Sequence, residues 1–110
     1  MKLPNATRVD LGTKIEDYSL NPRHREGRHK ARVFASALGI TLENADVLRR
    51  AVLKAATSSD EVEPRGENGF GEVFVLRFPM ETEVGIATVL TAWIIRHSED
   101  FPRLATCYIL

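Results

Sequence analysis

A chain of 110 residues that is 44% hydrophobic and 27% charged has room for one core of ordinary composition, which excludes two independent domains and a chain disordered throughout. Fifteen Lys plus Arg offset fifteen Asp plus Glu, so no global field draws the molecule onto DNA or an anionic membrane, and any basic site must be local. The single cysteine, Cys107, excludes an intramolecular disulfide; with no apolar leader and no uncharged run near ~20 residues, the expected setting is the cytoplasm, without membrane contact.

Leu11, Ile15 and Tyr18 recur at i, i+4, i+7 and predict a short helix over Leu11 to Ser19, while Asn5 to Asp10 is a weakly patterned candidate strand. Ala31, Phe34, Ala35 and Leu38 predict a second helix that stops at Gly39, a residue suited to a left-handed C-terminal position. A third helix is expected to start from Asn44 and run through Ala45, Leu48, Val52, Ala55 and Ala56, with Arg49, Arg50 and Lys54 turned outward. Beyond Asp60 the period becomes alternating. Glu72 to Phe78, Ile86 to Arg96 and Arg103 to Ile109, rich in β-branched and aromatic residues, predict three strands joined by short connections as an antiparallel meander. Helices followed by a sheet of three or four strands give an α+β class in a single domain, residues 1–110.

Charge is uneven along the chain. Residues 22–32 carry five bases against Glu26, a net of +4, and residues 59–72 carry five acids against Arg65, a net of −4. The two stretches are solvated surfaces, or attract each other across the fold, or serve separately as an anion site and an acidic docking face. Gly66-Glu67-Asn68-Gly69-Phe70-Gly71 reads as a turn and not a phosphate loop, because a strand follows it where a phosphate loop needs a helix N-terminus. His24, His29, His97 and Cys107 form no recognised ligand spacing, so neither a metal nor another cofactor is expected. Cys107 is expected to be a small buried thiol.

Pro22-Arg23-His24-Arg25-Glu26-Gly27-Arg28-His29-Lys30-Ala31 is the stretch with chemistry in it. Pro22 and Gly27 predict a loop that turns into the second helix near Arg28. At about 100° per residue Lys30 flanks the Ala31, Phe34 and Leu38 stripe, whereas His29 faces water. A loop imidazole beside a flanking ammonium can bind phosphate and move protons near neutral pH. On the last strand Leu104, Thr106, Tyr108 and Leu110 alternate onto one face; if it coincides with the face of Thr91 and Trp93, an aromatic wall carries hydroxyl groups, and otherwise Trp93 packs the helices.

The pattern Lys14-x-x-x-Tyr18-x-Leu20-Asn21-x-x-His24-x-x-Gly27-x-x-Lys30-Ala31-x-x-Phe34, with Gly39, Trp93-Ile94 and Pro102-Arg103-Leu104-x-Thr106-x-Tyr108, resembles an uncharacterised bacterial domain family of the DUF6883 type. That family pattern commonly has proline after the histidine, where Arg25 stands here. Related sequences look like C-terminal toxin modules and are similar in layout to the metal-independent ribonuclease folds of barnase, EndoU, colicin D and RelE. The resemblance implies RNA as substrate, cleaved by attack of a ribose 2′-hydroxyl on its own phosphate. It nominates His24, Lys30 and Tyr108 as catalytic residues and Arg28, Arg96 and Thr106 as substrate-binding residues, with a small antitoxin or immunity protein as partner. The competing expectation is a non-catalytic module whose charged stretches dock a small protein or a second copy as a homodimer; an immunity-type role is a variant of it.

Overall fold

A computed structural model that describes residues 1–110 has an α+β architecture in which two α-helices and three short 3₁₀ or π turns precede a four-stranded antiparallel sheet. Helix α1 (Arg28–Leu38) buries Ala31, Phe34 and Leu38, and Gly39 ends it at φ 67°, donating its N–H to the Ala35 carbonyl. Ala35 itself is exposed, so the buried stripe is narrower than its sequence period suggested. Helix α2 (Ala45–Ser58) buries Leu48, Val52, Ala55 and Ala56. Asn44 does not cap it through its side chain; that side chain instead accepts from the Thr41 N–H at 2.7 Å, while Thr41 Oγ1 accepts from Glu43, fixing the short 3₁₀ turn Leu42–Asn44 before the helix. The helix expected over Leu11 to Ser19 is one π-helical turn, Ile15–Ser19, because Gly12 stands at φ 54° and delays its start.

The strands β2 (Gly71–Glu81), β3 (Ile86–Arg96) and β4 (Arg103–Ile109) fall where alternation predicted them, in the order of a meander. The fourth strand is β1 (Glu63–Glu67), an exposed edge that pairs with β2, and not Asn5 to Asp10. That N-terminal stretch contains a 3₁₀ turn at Ala6–Arg8 and touches the sheet through a single parallel bridge, Asp10 to Arg103. No apolar alternation marks β1; it exists because the Gly66–Gly71 turn folds it back on β2, with Asn68 Oδ1 accepting from the Phe70 and Gly71 N–H groups at 3.0 and 3.3 Å. No helix is long and apolar enough to cross a membrane.

Helices α1 and α2 cover one face of the sheet. Phe74 pairs with Trp93, Leu76 with Thr91, and Thr91 with Cys107, all buried beneath the helices. Trp93 Nε1 donates to Thr91 Oγ1 at 2.9 Å, and Thr91 Oγ1 donates to the Leu76 carbonyl at 3.1 Å, so Trp93 packs the core with its polar atom satisfied. Along β4 the simple alternation fails. Ala92 pairs with Thr106 but Trp93 pairs with Leu104, which leaves Ala105 as a bulge residue and changes which face each side chain takes. Leu104 therefore joins Trp93 under the helices, whereas Thr106 and Tyr108 lie opposite Ala92 and Leu90 on the other face. The expected wall of Trp93, Thr91 and Tyr108 does not form.

Candidate functional site

The loop leading into α1 is held by its own side chains. Asn21 Oδ1 accepts from the Arg23 N–H at 2.9 Å and Asn21 Nδ2 donates to the Asp17 carbonyl at 3.2 Å. His24 closes the turn: its Nδ1 accepts from the N–H groups of Glu26 and Gly27 at 3.0 and 2.9 Å, and its carbonyl accepts from Arg28 at 3.0 Å. One residue thus satisfies three N–H groups around the start of α1. An Nδ1 that accepts is unprotonated, so the neutral ring carries its proton on Nε2. Gly27 has φ −82° and ψ −15°, a conformation open to any residue; contact is what demands glycine, since a Cβ there would sit 2.1 Å from the Tyr18 carbonyl oxygen.

Tyr18, at the end of the π-helical turn, joins the loop to α1. Its ring meets His24 edge-on, with centroids 4.9 Å apart and planes at 82°, and its Oη accepts from Lys30 Nζ at 2.8 Å. Because that oxygen accepts, the phenolic proton of Tyr18 stays free to be donated elsewhere. The Lys30 ammonium sits at the hydroxyl edge of Tyr18, 4.9 Å from its ring centroid, and 5.5 Å from the ring centroid of Tyr108. It borders a cavity of about 390 Å³ where α1 meets the edge strand β4, lined by His29, Lys30, Val33, Tyr108 and Ile109.

The electrostatics single out this end of the molecule. None of Arg23, Arg25, Arg28, Lys30 and Arg32 forms an ion pair. In the acidic stretch, by contrast, Asp60 pairs with Lys2, Glu63 with Arg65 and Arg77, and Glu67 with His97. The two stretches do not attract each other across the fold: α1 packs on β3 and β4, and β1 is the opposite edge.

Of the six residues nominated from the sequence, Lys30 and Tyr108 share a cavity. His24 reaches them only through the Tyr18 ring and does not line that cavity. Thr106 lies two residues along β4 from Tyr108, outside the cavity. Arg28 lines a separate groove with Ala31 and Arg32, and Arg96 borders a third cavity beside Lys14 and Arg103. In that third cavity Arg103 is already engaged, donating to Asp10 at 2.8 Å and to Glu99 at 2.9 and 2.7 Å. The Arg103 guanidinium holds the Glu99 carboxyl below the usual carboxylate range through those hydrogen bonds. No group of three or more His, Cys, Asp or Glu side chains converges as a metal site would require.

Sequence reasoning missed Tyr18 and His29. Tyr18 was placed on one side of a short helix with Leu11 and Ile15, and its position twelve residues before Lys30 gives no hint of contact. His29 is exposed, as its angle on α1 predicted; what the angle did not show is that, with Val33 one helical turn on, it borders the cavity that β4 closes at Tyr108 and Ile109.

The whole motif from Tyr18 to Lys30 is therefore one connected unit, and the family pattern that carries it runs the length of the chain. A family model described as a domain of unknown function, DUF6883, matches residues 2–110. The chain belongs to this family. No curated protein matches the sequence. In this DUF6883 chain the motif does two jobs: Asn21, His24 and Gly27 shape the entry to α1, and Tyr18 aims Lys30 at the cavity.

Proposed function

We propose that the Lys30 cavity binds an RNA phosphate and cleaves the chain without a metal, by attack of the adjacent 2′-hydroxyl. The observation that carries this reading is an ammonium with no carboxylate partner, fixed by Tyr18 and Tyr108 beside an exposed imidazole, among four further unpaired cations. Lys30 would stabilise the charge that builds on the phosphorane. His29 would take the 2′-hydroxyl proton, since both its nitrogens are free of protein partners, and the free phenolic proton of Tyr18 or that of Tyr108 would go to the leaving 5′-oxygen. The role suggested for His24 changes: with Nδ1 accepting two backbone bonds, its lone pair is spent, and it would act by holding the loop and by offering Nε2–H. Thr106 would contact the nucleotide that follows along β4.

The test is incubation of purified protein with a fluorogenic RNA oligonucleotide in EDTA. Cleavage leaving a 2′,3′-cyclic phosphate is expected, reduced about 10²–10³-fold by His29→Ala and by Lys30→Met. RNA left intact by the unmodified protein over a range of sequences ends the proposal. A non-catalytic docking role is the second reading, favoured by the groove between Arg28 and Arg32, which lies apart from Lys30.

A further inference from the structure

The cavity that Arg96 borders has no use in the chemistry proposed above. It holds about 290 Å³ beside the start of β4, and its polar lining is Asp10, Thr13, Lys14, Arg96 and Arg103. Lys14 comes from the residue before the π-helical turn and Arg96 from the last residue of β3, so two distant parts of the chain bring cations to one recess. Neither has an ion-pair partner. Arg103 is held rigidly, with Asp10 and Glu99 taking three of its N–H donors and the Phe101 ring centroid 4.9 Å from its guanidinium. A guanidinium has five donors, so two remain. The carboxylates present do not neutralise this set. Asp10 accepts from the Gly12 N–H at 2.8 Å through one oxygen and from Arg103 through the other, and both Glu99 oxygens accept from Arg103. Arg96 acts on Glu99 through space without bonding to it. With both acids counted, three cations face two carboxylates, and the acids are bonded to Arg103 and Gly12 rather than to Lys14 or Arg96.

We infer, resting on the RNA cleavage proposed for the Lys30 cavity, that the Lys14–Arg96 cavity holds a second phosphate of the same RNA strand. Both cavities lie against β4: Arg103, Leu104 and Ala105 line one, Tyr108 and Ile109 the other. From Ala105 to Tyr108 the strand advances about 10 Å. The π-helical turn joins them a second time, because Lys14 immediately precedes it and Tyr18, which holds Lys30, lies within it. Thr106 stands between the two on β4, where the nucleotide after the scissile phosphate was placed. A free phosphate or a lone carboxylate fills one recess only. A single strand carries phosphates at regular intervals, so one that is bound at Lys30 presents its next phosphates to the second cavity at high effective concentration. The consequence is a preference for oligonucleotides long enough to reach both.

Fluorescence anisotropy with a labelled 2′-O-methyl hexanucleotide, which lacks the attacking hydroxyl, measures binding apart from cleavage; a 2′-O-methyl dinucleotide with a single phosphate is the short probe. The wild type is expected to bind the hexanucleotide more tightly than the dinucleotide. Lys14→Gln with Arg96→Gln is expected to weaken the hexanucleotide about tenfold and to flatten its salt dependence by about 0.7 in slope, with dinucleotide binding retained. Arg50→Gln with Lys54→Gln removes the same charge from the outer face of α2 and is expected to keep both affinities near those of the wild type. All four side chains are exposed, so unchanged circular dichroism spectra are expected. Equal hexanucleotide binding by the wild type and the Lys14/Arg96 variant overturns the inference and leaves the Lys30 proposal standing. Equal weakening by the α2 variant, equal loss of dinucleotide binding, or a hexanucleotide that the wild type does not bind also overturns it. Binding as expected, with the matching RNA left intact, supports the second phosphate site and ends the cleavage proposal instead.

Discussion

Gly27 and His24 show how a residue can be indispensable without touching a substrate. Glycine at position 27 lets the loop lie against the Tyr18 backbone, and the His24 ring supplies the acceptor that the incoming helix needs. Gly27→Ala puts a methyl group inside the van der Waals radius of the Tyr18 carbonyl and is expected to cost about 1–3 kcal/mol; His24→Ala strands two N–H donors and is expected to cost about 1–2 kcal/mol. Urea denaturation curves measure both. A Gly27→Ala midpoint equal to that of wild type would show that the contact is slack. Cys107 is fully buried in β4, and desolvation pushes its thiol up from 9.0 to about 12. A pKa raised by folding contributes stability in full below the unfolded value and loses it as pH climbs toward the folded one. The wild type is therefore expected to lose melting temperature between pH 9 and pH 12 more steeply than Cys107→Ala, and parallel curves for the two would count against a neutral buried thiol.

The elements were legible in the sequence to very different degrees. Helix α1 and strands β2 to β4 could be read because each buries a repeating apolar set, and burial is what periodicity records. Strand β1, Glu-Pro-Arg-Gly-Glu, has every residue exposed and so writes no pattern; hairpin geometry alone makes it a strand. The π-helical turn was overextended into a helix because period cannot see that Gly12 takes a left-handed conformation. Lys30 was legible from its angle on α1, and Tyr108 from its strand, but their meeting depends on the Ala105 bulge, which leaves no mark in composition. Deleting Ala105 removes the extra residue and leaves Leu104 opposite Trp93, Thr106 opposite Ala92 and Cys107 opposite Thr91 in a regular ladder, so both core side chains keep their face. The unfolding free energy of the deletion variant is expected to stay within about 1 kcal/mol of the wild type, and a urea denaturation curve showing a loss of several kcal/mol would mean that the bulge itself is needed.

Across the whole molecule, five cations without ion-pair partners lie in and just before α1, whereas Glu63 and Glu67 at the β1 edge are paired with Arg65, Arg77 and His97, within a body extending 36 Å at most. Equal totals hide this arrangement, and so the net charge of zero, which by itself argues against a polyanionic ligand, is a poor guide. Cations left unpaired at the α1 end, beside an acidic edge that holds its own partners, make the surface field uneven. Near a polyanion such a body feels little net pull but a definite torque, which turns the α1 end forward before contact and the β1 end away. Orientation is thus decided during approach, while the absence of excess charge keeps the protein from clinging indiscriminately to every phosphate it passes.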